Sequence, residues 1–223
     1  MSAEATGVLA HHFDNIEQQR SAGRLGMWMF LVTELLFFGG IFSAYAAYRI
    51  WYPADFEAGS SKLNVWIATI NSFLLLTSSL TITLAIYAAR QGRRQAMLTN
   101  LLLTAALGIG FLAFKAVEYS QDFAENLVPG PSFNTSPEEW GENVNPYRVQ
   151  LFFLFYYCMT VIHVIHLAVG IGLVLWLYVR ARSGWITPER FHVVEVTSLY
   201  WHFVDLMWLF LLPLLYLAGT HHI

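Results

Sequence analysis

The chain has 223 residues, 57% of them hydrophobic, 16% aromatic and only 12% charged, with a net charge of −3. Soluble domains carry roughly 25% charged residues, so this composition excludes an ordinary water-soluble core and describes one integral membrane domain. The mildly acidic balance gives no reason to expect nucleic acid, and a single cysteine, Cys158, excludes an internal disulfide and a cysteine metal cluster.

Residues 1–23 hold scattered charges and no apolar core of signal-peptide type, so they are expected to be retained as a cytoplasmic N-terminal segment. The first apolar run covers 25–48. At 1.5 Å per helical residue it is long enough to cross a bilayer core of about 30 Å. Four further runs of spanning length follow at 65–89, 96–119, 149–179 and 193–219. A barrel would show short alternating strands, so the predicted fold is all-α: a bundle of five transmembrane helices within one domain, 24–223. Between the third and fourth spans, 120–148 contains Pro129-Gly130-Pro131 and Asn145-Pro146. Those residues forbid a continuous helix, and a connection of this length is expected either to pack on a partner or to be mobile.

Orientation follows from arginine and lysine in the short flanks. Arg20, Arg24, Arg90, Arg93, Arg94, Arg180, Arg182 and Arg190 fall on one side, against Arg49, Lys62 and Arg148 on the other. That bias places the N-terminus in the cytoplasm and, after five crossings, the C-terminal His221-His222 in the periplasm. The outer connections are acidic, with Asp55, Glu57, Asp122, Glu125, Glu138, Glu139 and Glu142. Arg93, Arg94, Arg180 and Arg182 serve as topology determinants and also suit anionic lipid head groups.

Several ionisable residues lie at membrane depth, where insertion scales charge about 2.5–3.5 kcal/mol for each unless it faces protein or a wet cavity. Glu34 is roughly 15 Å deep, His202 and Asp205 roughly 12–17 Å, and His163 and His166 roughly 20–24 Å from the cytoplasmic edge. Glu195 and His202 are seven residues apart and share a helix face. Lys115 and Glu118, at i and i+3 near the outer end of their helix, are expected to form an interfacial ion pair. His163-x-x-His166, His202-x-x-Asp205 and Glu34 can be read as a metal or haem site. They can also be read as a hydrogen-bonded structural network, which fits better because the paired Glu-x-x-His motifs of ferritin-like sites are absent. Glu34 by itself is either a proton relay or lipid contact, or a protonated carboxyl bonded to a neighbouring helix. A transporter would show matched interrupted helices, and Pro213 is a single candidate kink.

Five stretches together resemble subunit III of the haem–copper terminal oxidases of cytochrome c oxidase type. They are Arg24-Leu-Gly-Met-Trp-Met-Phe-Leu-Val-Thr-Glu34, Thr69-Ile-Asn71-Ser-Phe-Leu-Leu-Leu-Thr77, Lys115-Ala-Val-Glu118-Tyr119, His163-Val-Ile-His166-Leu-Ala-Val-Gly170, and Glu195 followed by Tyr200-Trp201-His202-Phe203-Val204-Asp205. The resemblance covers 24–216. Many members have seven helices, and this chain corresponds to the last five; the missing two form one arm of a lipid-holding cleft.

The resemblance implies a subunit without a redox centre of its own. It would stabilise a catalytic subunit I that carries haem and copper, and support proton uptake and the access of lipid and oxygen. It further implies a subunit II, a small subunit IV, cytochrome c as donor through the complex, bound phospholipid, and a bacterial inner membrane. Within the same family the alternatives are a quinol oxidase or a nitric-oxide-reductase-associated subunit. Glu34 favours the cytochrome c oxidase type, since the quinol relative tends to carry Asp there.

Overall fold

The computed structural model describes residues 15–141, 143–188, 190–217 and 219. Most of the N-terminal segment, Glu142 and His221-His222 lie outside them. Seven helices occur among the described residues: α1 Ile16–Trp51, α2 Pro53–Ser61, α3 Val65–Arg90, α4 Arg94–Ala124, α5 Pro137–Trp140, α6 Pro146–Arg182 and α7 His192–Leu215. Five of these, α1, α3, α4, α6 and α7, are long and apolar enough to cross a membrane.

Local signals set the ends. Asn15, Asn64 and Asn145 each accept a hydrogen bond from a backbone N–H of the first turn of α1, α3 and α6, and Pro146 opens α6 without needing its missing donor. The tight turn joining α3 to α4 runs through Gly92 at φ +68°, a left-handed conformation that a side chain would strain. Several helices extend past the apolar runs. α1 begins at Ile16, α4 continues to Ala124, and α6 runs from Pro146 to Arg182, because polar turns at the membrane edge keep their helical bonds in water. The last helix is shorter than 193–219 and ends at Leu215, two residues after Pro213.

The connection 120–148 packs on its own chain. Phe133 and Trp140 are buried and stacked at 6.0 Å, Lys62 of the α2–α3 turn pairs with Glu139 at 3.1 Å, and the Asn145 N–H donates to Asp55 of α2 at 2.7 Å. α2, α5 and this connection therefore form a cap over the acidic end of the bundle.

The spanning helices differ sharply in burial. α1 buries only Leu31, Phe38 and Tyr45, whereas α7 buries residues from nearly every turn, including Trp201 and Trp208. α7 is thus the central helix and α1 the peripheral one. Trp201 enters the interior where Gly108 of α4 and Gly170 of α6 have no side chain, and its Nε1 donates to Ser78 of α3 at 2.9 Å. Trp208 Nε1 donates to Ser72 at 3.0 Å. Small and hydroxyl residues admit the indoles and take up their polar atoms, the membrane way of bringing helices close. Beyond Pro213, Tyr45 of α1 donates to the carbonyl of Leu214 at 2.8 Å and Ser60 of α2 to that of Leu215 at 2.6 Å. Two terminal carbonyls of α7 are therefore satisfied by other helices.

Candidate functional site

Glu34 and His166 meet between α1 and α6, with Oε2 3.1 Å from Nε2. The other ring nitrogen, Nδ1, lies 2.8 Å from the carbonyl of Ile162. A carbonyl only accepts, so Nδ1 carries a hydrogen. Nε2 then either accepts from a protonated Glu34 or, in the imidazolium, donates to a carboxylate. A groove of about 310 Å³, lined by Phe30, Ile165 and Tyr200 among others, opens beside His166. Tyr200 braces the turn by donating to the His166 carbonyl at 2.9 Å.

His202 and Asp205 meet at Ser79 of α3. The Ser79 hydroxyl donates to Asp205 Oδ2 and, having no second hydrogen, accepts from His202 Nδ1 at 3.0 Å. Glu195 lies at the arginine-rich end and pairs with Arg90 of α3. His163 is enclosed between the rings of Phe111 and Trp208, at 5.6 and 5.4 Å, and its nitrogens have no hydrogen-bond partner among the described residues.

Glu34, His163, His166, Glu195, His202 and Asp205 are thus divided among separate contacts instead of forming one network. His163 and His166 are neighbours in sequence, yet one faces α4 and α7 and the other faces α1. Among the described residues no three His, Cys, Asp or Glu side chains are grouped to hold a metal ion. A metal site built from His163, His166, His202, Asp205 and Glu34 would need together side chains that the bundle holds apart.

The expected interfacial pair of Lys115 and Glu118 is instead fully buried, each residue being 1% exposed. Lys115 Nζ donates to Glu118 Oε2 at 3.1 Å, to Tyr156 Oη at 3.0 Å and to Tyr216 Oη at 2.6 Å, which uses all three of its hydrogens. Both tyrosines donate in turn to Glu118 Oε1, at 2.9 and 2.6 Å. Asp122, one turn on, lies 3.3 Å from the hydroxyls of Tyr156 and Tyr157. This cluster joins α4, α6 and the end of α7. The 115, 118, 122 spacing on one helix face was its visible signal; the tyrosines that close it come from distant segments.

Of the arginines assigned to lipid head groups, Arg94 donates to the carbonyls of Ala181 and Arg182 and so ties the start of α4 to the end of α6. Arg180 lies over the rings of Trp176 and Trp185. Arg93 and Arg182 are exposed.

Fold and site together define a multi-pass membrane bundle whose polar groups bind one another across helices. The sequence pattern of the family described as cytochrome c oxidase subunit III matches residues 1–126 and 148–220 and passes over most of the connection at the acidic end. The cytochrome c oxidase subunit 3 of Alkalihalophilus pseudofirmus is 30% identical over 196 residues, covering 88% of this chain and 86% of that protein. The protein of that name from a Synechocystis strain is 33% identical over 193 residues, covering 86% and 74%. The quinol oxidase subunit 3 of Bacillus spizizenii is 27% identical over 207 residues, covering 92% of each. The chain belongs to the cytochrome c oxidase subunit III family. It is accordingly a subunit of a haem–copper oxidase, an oxidoreductase complex, and is not itself the catalytic subunit.

Proposed function

We propose that this chain is the non-redox third subunit of a terminal oxidase in a bacterial inner membrane, with its N-terminus cytoplasmic and its acidic cap periplasmic. It packs beside a catalytic subunit I that carries the haems and copper, with a subunit II and a small subunit IV, in a complex whose electrons come from cytochrome c. Its role is to stabilise subunit I during turnover and to support proton uptake and the access of lipid and oxygen. The observation that carries this role is α1. It is the spanning helix least buried among the described residues, and its Glu34 is hydrogen-bonded to His166, which lines an open groove. The membrane-depth polar residues Glu34, His163, His166, Glu195, His202 and Asp205 act in assembly through their separate contacts, and the exposed Arg93 and Arg182 are placed to meet lipid head groups.

Glu34→Gln tests the role. A glutamine amide still donates to Nε2 of a neutral His166, but it cannot take up and release a proton as a carboxyl does. In the assembled oxidase the initial rate of oxygen consumption should be nearly unchanged. Glu34→Ala removes one hydrogen bond between α1 and α6, worth about 0.6 kcal/mol, and should loosen the packing, seen as weaker subunit retention or faster inactivation during turnover. An initial rate lowered by orders of magnitude in Glu34→Gln, with normal haem content, would make Glu34 an obligatory proton carrier and overturn this assignment. A quinol donor is the second reading, favoured by relatives that bear that name. Assays of the purified complex with reduced cytochrome c and with a quinol separate the two.

A further inference from the structure

The buried cluster at the acidic end of α4 sets its tyrosines on bases. Tyr216 donates to Glu118 Oε1 at 2.6 Å, Tyr156 to the same oxygen at 2.9 Å, and Tyr157 to Asp122 Oδ2 at 3.3 Å. Elsewhere Tyr45 and Tyr200 donate to backbone carbonyls and Tyr119 to the Thr160 hydroxyl, and neither kind of oxygen can keep a phenol proton. Glu118 accepts from Lys115 and from both tyrosines and donates to none of them, which is the pattern of an ionised carboxylate. A phenol whose hydrogen already rests on a base can lose an electron and a proton together.

The rings also stand in file. Centroids are 6.1 Å apart from Trp208 to Tyr216, 6.2 Å from Tyr216 to Tyr156, 5.0 Å from Tyr156 to Tyr157 and 5.4 Å from Tyr157 to Tyr119. Ring edges at such spacings are close to contact, and electrons tunnel readily across so small a gap. The file begins in the core at Trp208 and ends at Tyr157 of α6 and Tyr119 of α4, both half-buried. Lys115 decides where along it a charge can rest. Its Nζ lies 5.5 Å from the Trp208 centroid, 4.7 Å from that of Tyr156 and 5.4 Å from that of Tyr216. An ammonium this close repels a radical cation, so the proton has to leave with the electron. The Trp208 N–H meets only the Ser72 hydroxyl, whereas the two tyrosines have Glu118.

We infer that Tyr216 and Tyr156 form a redox-active site, which takes up one oxidising equivalent and passes it along the file of rings to the surface at Tyr157 and Tyr119. In the oxidising step a one-electron oxidant removes an electron from the phenol ring. The O–H bond breaks and its proton moves to Glu118 Oε1, leaving a neutral phenoxyl radical, a carboxylic acid and an unchanged ammonium. In the return step a one-electron reductant at the surface supplies the electron, and Glu118 gives the proton back. The site is a side branch, distinct from the electron route of turnover. In the complex the oxidant belongs to the strongly oxidising species that an oxidase generates at its reaction centre. That source rests on the oxidase reading, and the chemistry of the cluster does not.

The test exposes the purified oxidase, and separately the full chain alone in nanodiscs, to photogenerated tris(bipyridine)ruthenium(III), a one-electron oxidant. Freeze-quenched electron paramagnetic resonance should show a neutral tyrosyl radical, narrowed when the protein carries ring-deuterated tyrosine. In the chain alone every tyrosine is its own, so the signal cannot come from a partner. Tyr156→Phe with Tyr216→Phe keeps both rings and should remove the signal, while Tyr147→Phe, at an exposed position, should leave it. Glu118→Gln should slow its formation about a hundredfold, the lower end of what a positioned base contributes. Formation in the wild type should also be slower in heavy water, because the proton moves in the same step. A signal kept in the double variant, an unchanged rate in Glu118→Gln, equal rates in the two waters, or a radical on tryptophan alone would each overturn the proposal. The wild-type arms decide it even where a variant fails to fold, and a cluster with a structural role only would shift melting without giving the radical. The haem spectrum of the complex reports the oxidase assignment separately: haem present without the radical sinks the redox site alone, and the radical without haem sinks the assignment alone.

Discussion

Lys115→Met should be the most damaging single substitution in this bundle, lowering stability by about 3–5 kcal/mol. The reason is what it leaves behind. Glu118 and Tyr216 are sealed from solvent around the ammonium, and removing it strands a carboxylate with only two hydroxyl donors. Asp122 nearby adds negative charge to the same site. Substituting both partners removes the stranded charge as well as the pair, so Lys115→Met with Glu118→Gln should recover more than half of the loss. The introduced amide also keeps a carbonyl acceptor for the two tyrosines. Thermal unfolding of wild type, the two single variants and the double variant in one detergent measures the coupling. A Lys115→Met variant that melts with wild type would show that the pair contributes nothing to stability.

Trp201→Ala should cost about 3 kcal/mol, the lower end of the range for emptying a buried tryptophan site. Apolar surface gains little by moving from lipid to a protein interior, so the transfer part of the cost is small. What remains is lost dispersion contact with Gly108, Gly170 and Ile171, and the loss of the indole bond to Ser78. The converse substitution fills the slot from the other side. A Cβ on residue 108 would lie 2.9 Å from the Trp201 ring and 3.0 Å from Ile171, so Gly108→Val should cost about 1–3 kcal/mol through overpacking. The two changes should be less than additive, because alanine at 201 makes room for valine at 108. Additive melting shifts, or a Trp201→Ala variant as stable as wild type, would contradict the packing described for α4, α6 and α7.

The five spans were legible in the sequence, and direction around each helix was not. Hydrophobic length marked all five and gave Glu34, His202 and Asp205 similar expected depths, with His166 deeper, yet Glu34 and His166 are the pair in contact. It could not say that α1 is peripheral and α7 central, and that arrangement decides which polar groups meet. His163 and His166 show the gap most plainly: three residues apart, one is enclosed by aromatic rings and the other is hydrogen-bonded to Glu34. Lys115 and Glu118 were recognised as a pair from their spacing, but their burial depends on Tyr156 and Tyr216, 41 and 101 residues from Lys115. Ser79, one of several hydroxyl residues between 69 and 83, carried no signal of its own, yet it is the group that joins His202 to Asp205. The cap at the acidic end was read as a connection because α2 and α5 are too short and too polar to register as spans.

The tie between Tyr216, Lys115 and Glu118 bears on the order in which the protein is made. Chains emerge from the ribosome N-terminus first. The span carrying Lys115 and Glu118 therefore enters the bilayer well before the tyrosine that completes their hydrogen bonds. The Leu214 and Leu215 carbonyls that Tyr45 and Ser60 are placed to meet also arrive with the final helix. Until then α1, α2 and α4 carry polar side chains without their native partners, at positions where a bilayer offers few substitutes. A nascent chain that ends before residue 216 would hold Lys115 and Glu118 with Tyr156 alone, and the last of their hydrogen bonds forms only when the segment after α7 has been made.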